Sequence, residues 1–249
     1  MSQLAGRVAV ITGGGTGIGQ AIAVACAKKG ASVVAVGRRR EKVEETCRII
    51  DREGGVAVPL AVDVSKSEDV NIMVDTCVEQ LGRLDILVNN AGVRFPGGIL
   101  SLTEEGWDWV MSINLRGAFL CCKAAAPIMV RNGWGRIVNI SSAAAITPSP
   151  NIAYSTSKGA LVTLTKSMAL ELSPRGVTVN AVCPGAIVTD MTREMLNDPE
   201  VRRSQLQKCR TGRFGEAAEI AAAVVYLTSA GSDFVTGSVL VVDGGWTIV

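Results

Sequence analysis

Short apolar runs bounded by glycine, proline or charged residues recur at 7–12, 31–36, 56–62, 86–88, 136–140, 178–182 and 239–242. Their length and branched aliphatic content predict strands. Between them the apolar positions recur every three or four residues, at 20–29, 40–53, from 65 to about 81, from 101 to about 130, at 153–172 and at 216–229, which predicts helices. Ser65-Lys66-Ser67-Glu68 and Ser101-Leu102-Thr103-Glu104 have capping-box spacing and set two helix starts. Pro59 removes a ladder donor from the run 56–62 and so predicts a strand at a sheet edge. Alternating strands and helices predict an α/β fold, a doubly wound sheet of about seven parallel strands with helices on both faces. No repeat or linker divides residues 1–249, so a single domain is expected, with the irregular stretch 186–215 as a lid.

Nearly half of the 249 residues are apolar, enough for one large core. No uninterrupted run approaches the roughly 18 apolar residues of a membrane span. The amino terminus enters the first strand without the charged and apolar regions of a signal peptide, so a cytoplasmic protein is expected. A net charge of +2 argues against an extended footprint for nucleic acid or an acidic membrane and leaves small molecules as the expected partners. The seven cysteines include no Cys-x-x-Cys pair and read as reduced core thiols, and no metal site is expected. Histidine is absent, which excludes Ser-His-Asp and Cys-His hydrolases. Proton chemistry at neutral pH therefore falls to a tuned Tyr, Lys, Cys or carboxylate.

The helix predicted over 153–172 carries Tyr154 and Lys158 on one face, a single turn apart. A phenol with a pKa of roughly 10 is a poor acid or base at neutral pH, and a neighbouring cation favours its phenolate. The pair is a candidate for moving one proton, although the same spacing also occurs on ordinary solvated faces. A second signal lies after the first strand, where Gly13-Gly14-Gly15-Thr16-Gly17-Ile18-Gly19 leads into a helix. Backbone N–H groups at such a helix start receive phosphate, and ligands of open parallel sheets sit beyond the carboxyl ends of the strands. The spacing is not G-x-G-x-x-G, whose last glycine would fall on Ile18; it is T-G-x-x-x-G-x-G on Thr12, Gly13, Gly17 and Gly19.

Taken in order, Thr12-Gly13-x-x-x-Gly17-Ile18-Gly19, Asn89-Asn90-Ala91-Gly92, Asn114, Ser142, Tyr154-x-x-x-Lys158 and Pro184-Gly185 resemble the short-chain dehydrogenase/reductase family, in its 3-oxoacyl carrier-protein reductase-like branch. The resemblance spans nearly the whole chain. It implies a Rossmann-type fold and hydride transfer between a nicotinamide cofactor and a ketone or secondary alcohol. Tyr154 would be the general acid of reduction and the base of oxidation. Lys158 would lower the tyrosine pKa and bind the nicotinamide ribose. Ser142 would hydrogen-bond the carbonyl oxygen, and Asn114 would hold a water linking Lys158 to solvent. The family spacing puts its serine thirteen residues before the tyrosine, which is Ser141, whereas Ser142 lies twelve before it. Ser142 is preferred as the second serine after the Val-Asn-Ile strand, and Ser141 stays open.

The cofactor would be held by Gly13, Thr16, Gly17, Ile18 and Gly19 at the glycine turn, and by Arg38 and Arg39 after the second strand. Asp63 and Val64 would lie by the adenine, Asn90, Ala91 and Gly92 under the adenine-side ribose, and Pro184, Gly185, Ile187 and Thr189 by the nicotinamide, with Tyr154 and Lys158 completing the site. Gly37-Arg38-Arg39-Arg40 has no carboxylate to receive a ribose 2′-hydroxyl and offers planar partners for a 2′-phosphate, so NADP(H) is expected over NAD(H). Arg94, Phe95, Pro96, Ser149, Pro150, Asn151 and Ile152 would line a substrate pocket, with 191–213 as its cover. The basic residues between 202 and 213 read as a solvated face. Trp107 and Trp109 read as helix-packing residues. An NADPH-dependent carbonyl reductase is the leading expectation, as a homotetramer by family resemblance. The alternatives are a 3-oxoacyl carrier-protein reductase, an oxidative sugar, polyol or hydroxysteroid dehydrogenase, and a non-catalytic dinucleotide sensor.

Overall fold

The computed structural model describes residues 3–189, 192–193 and 197–248. Seven strands, β1 (Val8–Thr12), β2 (Ser32–Gly37), β3 (Ala57–Ala61), β4 (Ile86–Asn89), β5 (Gly135–Ile140), β6 (Val177–Pro184) and β7 (Val239–Val242), form one sheet in the order β3-β2-β1-β4-β5-β6-β7. Every pairing is parallel. Pro59 lies in β3 at the sheet edge, where its missing N–H costs least.

Around the sheet run α1 (Gly17–Lys28), α2 (Arg40–Arg52), α3 (Ser67–Leu81), α4 (Glu104–Met111), α5 (Ala118–Arg131), α6 (Ile152–Leu172), α7 (Pro199–Lys208) and α8 (Ala217–Thr228). Side chains alternate across the strands, so each face gathers its own core. Val10, Val34, Leu87, Ile137 and Val179 pack with the inner sides of α3 and α5. Ile11, Val33, Ile86, Val138 and Val182 pack with Ile22 of α1 and Ile220 of α8. Asp85, fully buried before β4, accepts from the Val8 N–H at 2.9 Å and from Arg83 Nε at 2.7 Å, and so ties β1 to β4 at the end of the sheet away from the cleft.

Three local expectations change. The Ser65 capping box does not form: Ser65 Oγ donates to Asp63 Oδ1 at 2.7 Å, and α3 begins after Lys66 without a side-chain cap. Ser101 accepts from the Gly98 N–H at 3.2 Å, and Thr103 is the cap of α4, accepting from Gly106 at 3.1 Å. A reciprocal box does form at α8, between Glu216 and Glu219. The single helix expected from 101 to about 130 is interrupted by one π-helical stretch, Ser112–Gly117. The run Glu104–Arg131 has the length and hydropathy of a membrane span, but Ile113, Cys121, Cys122, Ala125 and Met129 bury its inner side in the core.

Candidate active site

β1 has β2 on one side and β4 on the other, so the chain reverses direction across the sheet beside it. At such a switch point the loops beyond the strands part and leave a crevice. A cleft of about 1020 Å³ opens there. Thr12 and Asn90 hold its two sides together. Thr12 Oγ1 accepts from the Asn90 and Ala91 N–H groups at 3.0 and 3.1 Å, while Asn90 Nδ2 donates to the carbonyls of Thr12 and Gly13 at 3.0 and 3.3 Å.

The glycine turn forms one end of the cleft. Gly13 and Gly17 have φ of 65° and 55°, in the left-handed region that glycine adopts without a Cβ penalty. Gly19 stands behind the wall, where a Cβ would meet the Gly13 carbonyl oxygen at 2.1 Å. Only glycine lets α1 approach β1 this closely. Thr16 precedes α1 without a side-chain cap bond, which leaves the leading N–H groups of the helix free of side-chain acceptors beside the cleft. Thr16, Ile18, Arg38 and Arg39 line this end, with Arg39 Nη2 at 3.5 Å from Thr16 Oγ1. Lys42, which the sequence reading missed, joins them from α2 and also pairs with Glu45 at 2.9 Å. Asp63, Val64, Ala91 and Gly92 form the adjoining wall. Burial works to raise the Asp63 carboxyl, yet its bonds to Ser65 and the charge of Arg38 hold it below the usual carboxylate value.

The other end collects the proton-transfer candidates. Tyr154 and Lys158 lie on α6 and both line the cleft. Lys158 is buried, and its Nζ donates to the Ile140 carbonyl at 2.8 Å, 5.7 Å from the centroid of the Tyr154 ring. Loss of water lowers its pKa to about 8. Burial likewise raises the Tyr154 phenol above its usual value, opposed by the Ser142 hydroxyl and by the Arg94 guanidinium, 5.2 Å from the ring centroid. Burial outweighs both, so the net direction is upward.

The two serines have separate surroundings. Ser141 is buried and spends its hydroxyl proton on the Lys158 carbonyl at 2.8 Å. Ser142 accepts from the Ala144 N–H at 3.1 Å, which leaves its own proton to donate, and it lines the cleft beside Tyr154. Asn114 does not line the cleft. It lies buried in the π-helical stretch, where Oδ1 accepts from the Val93 N–H at 2.8 Å and Nδ2 donates to the Val93 carbonyl at 3.0 Å and Ser157 Oγ at 3.1 Å. Both amide protons are thus committed to clamping the loop after β4 onto α6.

Pro184, at the end of β6, and Gly185, Ile187 and Thr189 beyond it line the cleft, and Ile187 bridges to Gly215. Arg94, Ser149, Pro150 and Asn151 also line it, as expected. Phe95, Pro96 and Ile152 do not. The Phe95 ring instead packs edge-on against Trp109 with centroids 6.3 Å apart, and Ile152 opens α6. Neither Trp107 nor Trp109 is a cleft residue. Within the expected cover, Met191 lies outside the described residues, and α7 brings Gln205 and Lys208 to the cleft. Lys208 Nζ stands 5.1 Å from the Trp246 ring, another cleft residue missed in the sequence. Any residue just past a strand end is a candidate in this fold, and Trp246 follows β7 by that rule. Arg213 is not free for a ligand, since its guanidinium pairs with both oxygens of Glu219 at 2.8 and 2.6 Å.

The family model described as Enoyl-(Acyl carrier protein) reductase matches residues 13–247. The chain is 40% identical over 253 residues to 2-(S)-hydroxypropyl-CoM dehydrogenase 3 of Xanthobacter autotrophicus, covering all of this chain and 99% of that one. It is 40% identical over 244 residues to Dehydrogenase/reductase SDR family member 4 of Homo sapiens, covering 97% and 88% of the two chains. Its fold is similar to the crystal structure of a gluconate 5-dehydrogenase from Burkholderia cenocepacia J2315 in complex with NADP and tartrate, with a TM-score of 0.95, 35% identity and coverage of 99% and 97%.

Proposed function

The chain belongs to the short-chain dehydrogenase/reductase family, and from that premise we propose that it is an NADP(H)-dependent carbonyl reductase acting reversibly on a ketone and its secondary alcohol. The observation that carries this reading is that Ser142, Tyr154 and Lys158 line the same cleft, with Lys158 Nζ 5.7 Å from the centroid of the Tyr154 ring. When bound, the reduced nicotinamide supplies a hydride to the carbonyl carbon. Ser142 donates a hydrogen bond to the substrate oxygen as negative charge gathers there. Tyr154 gives that oxygen its proton, and its raised pKa suits an acid that is fully protonated at neutral pH. In alcohol oxidation the same phenol, as phenolate, takes the proton back. Lys158 uses one of its three donors on Ile140 and keeps two for ribose hydroxyls. Asn114 acts by position, fixing the loop that carries Arg94 against α6.

The nucleotide end fits the cofactor. The open start of α1 suits a pyrophosphate, Gly15 and Gly17 keep side chains out of its path, and Arg38, Arg39 and Lys42 offer cations to an additional phosphate. The gluconate 5-dehydrogenase neighbour binds NADP, in line with that chemistry. We further read the protein as a cytoplasmic homotetramer, supported by the exposed apolar Leu170 on α6 and Val241 on the edge strand β7. Light scattering on the purified chain tests the assembly. The reaction is tested by NADPH consumption with a broad panel of ketones: turnover supports the reductase, and NADPH binding without turnover across the panel identifies a sensor instead.

A further inference from the structure

Among the described residues the protons of Arg94 have no acceptor. Among the described residues its guanidinium makes no hydrogen bond and no ion pair, whereas Arg7, Arg83, Arg136 and Arg213 all pair with carboxylates. Its position is nevertheless well determined. The preceding residue, Val93, is held through both backbone polar groups by Asn114, and the guanidinium lies beside the Tyr154 ring in the half-buried wall of the cleft. Asp63 is the one carboxylate among the described residues lining the cleft, and it stands at the nucleotide end, beside Arg38. A planar fork of donors left without an acceptor in a partly dry cleft selects a planar anion.

We propose that Arg94 receives an acidic group of the substrate, so that the natural substrate is a keto acid, or the corresponding hydroxy acid in the reverse direction. The inference rests on the carbonyl-reductase reading above and names its substrate class. Because the guanidinium stands 5.2 Å from the ring whose hydroxyl serves the carbonyl oxygen, a paired carboxylate lies within about three carbons of the reacting carbonyl. The pairing orients the substrate, with Arg94 taking one end and Ser142 with Tyr154 the other. A neutral ketone of the same shape loses that anchor.

The test compares pyruvate, acetoacetate and levulinate with their methyl esters. With NADPH saturating, at least one free acid is expected to exceed its ester about 100-fold in kcat/KM. In Arg94→Gln that preference collapses towards unity, the acid losing about 100-fold and the ester only several-fold. Arg94→Lys restores part of the preference, because a cation without the fork still attracts the carboxylate. Acid-to-ester ratios within about twofold of unity for all three pairs in the wild type, or a ratio unchanged in Arg94→Gln, overturn the proposal. Calorimetry of the same acids on the protein loaded with oxidised NADP gives a reading without turnover. Affinity at least about tenfold weaker in Arg94→Gln supports the acid site, and equal affinity overturns it. If the acids bind through Arg94 and no acid or ester is reduced, the acid site stands and the reductase reading fails.

Discussion

The Lys158 ammonium stands 5.7 Å from the centre of the Tyr154 ring and donates a hydrogen bond to the backbone carbonyl of Ile140. The lysine is therefore anchored to the end of β5, with its side chain buried. Tyr154 meets two other groups that favour ionisation, Ser142 and Arg94, and burial still outweighs them. Such a phenol is a competent acid over a wide neutral range, and a base only once the pH is raised. Removing either opposing group strengthens the bias, so Arg94→Gln and Ser142→Ala are each expected to move the acidic limb of the kcat–pH profile for alcohol oxidation to higher pH.

Ser142 and Ser141 are separable by what each hydroxyl already bonds. Ser142→Ala removes the donor to the developing charge and is expected to lower kcat by about 100-fold or more with a nearly unchanged melting temperature. Ser141→Ala cuts the bond to the Lys158 carbonyl, so it lowers the melting temperature and leaves the chemical step within about tenfold of wild type. The reverse pattern in steady-state kinetics would reassign the catalytic serine.

Arg38 and Arg39 line the cleft just past β2 and are read as partners of a ribose 2′-phosphate. Replacing both with alanine is expected to reduce kcat/KM for NADPH by about 100-fold while NADH changes by only a few-fold, since only the former carries the extra phosphate. Parallel loss with both cofactors would show that the arginines shape the turn and do not read the phosphate.

Gly19→Ala places a methyl group 2.1 Å from the Gly13 carbonyl oxygen and 2.4 Å from Asn90 Nδ2. The backbone must part there, so both the melting temperature and NADPH affinity are expected to fall. Gly159→Ala, inside α6 where a Cβ meets nothing, serves as the control: NADPH affinity is expected to hold and the melting temperature to stay level or rise, since alanine favours the helix.

Alkaline stability follows from the buried thiols. Burial pushes Cys26, Cys77 and Cys122 up to about 12 and Cys47 to about 11, above the ordinary value of 9.0. Folding keeps these thiols protonated while the unfolded chain releases their protons. Their stabilising contribution is whole below pH 9 and is lost as the pH rises towards 11 or 12. Lys158, depressed from 10.5 to about 8, works with the opposite sign between those values, as one group against four. Thermal melts are expected to show a falling melting temperature from pH 9 upwards. A flat or rising profile to pH 10.5 would contradict this balance.

Much of the fold was legible because period alone separates strands from helices. Pro59 marked an edge strand, and Tyr154 and Lys158 shared a face as helical spacing requires. The Ser65 cap failed because a local pattern cannot show that Asp63 competes for the same hydroxyl. The π-helical stretch was hidden for a related reason: it depends on Asn114 reaching across to Val93 and Ser157, contacts between distant parts of the chain. Lys42, Lys208 and Trp246 enter the cleft from three separate elements, and no linear spacing joins them. The approach of Arg94 to the Tyr154 ring was hidden for the same cause, since the two lie sixty positions apart in sequence.

The central claim is that the Tyr154 hydroxyl passes its proton to the substrate oxygen. Stopped-flow measurement of NADPH oxidation by Tyr154→Phe, with a ketone the wild type reduces, tests this most directly. The account predicts a rate at least about 1000-fold lower with NADPH affinity held within a few-fold. Reduction of that ketone by the phenylalanine variant at the wild-type rate would contradict it.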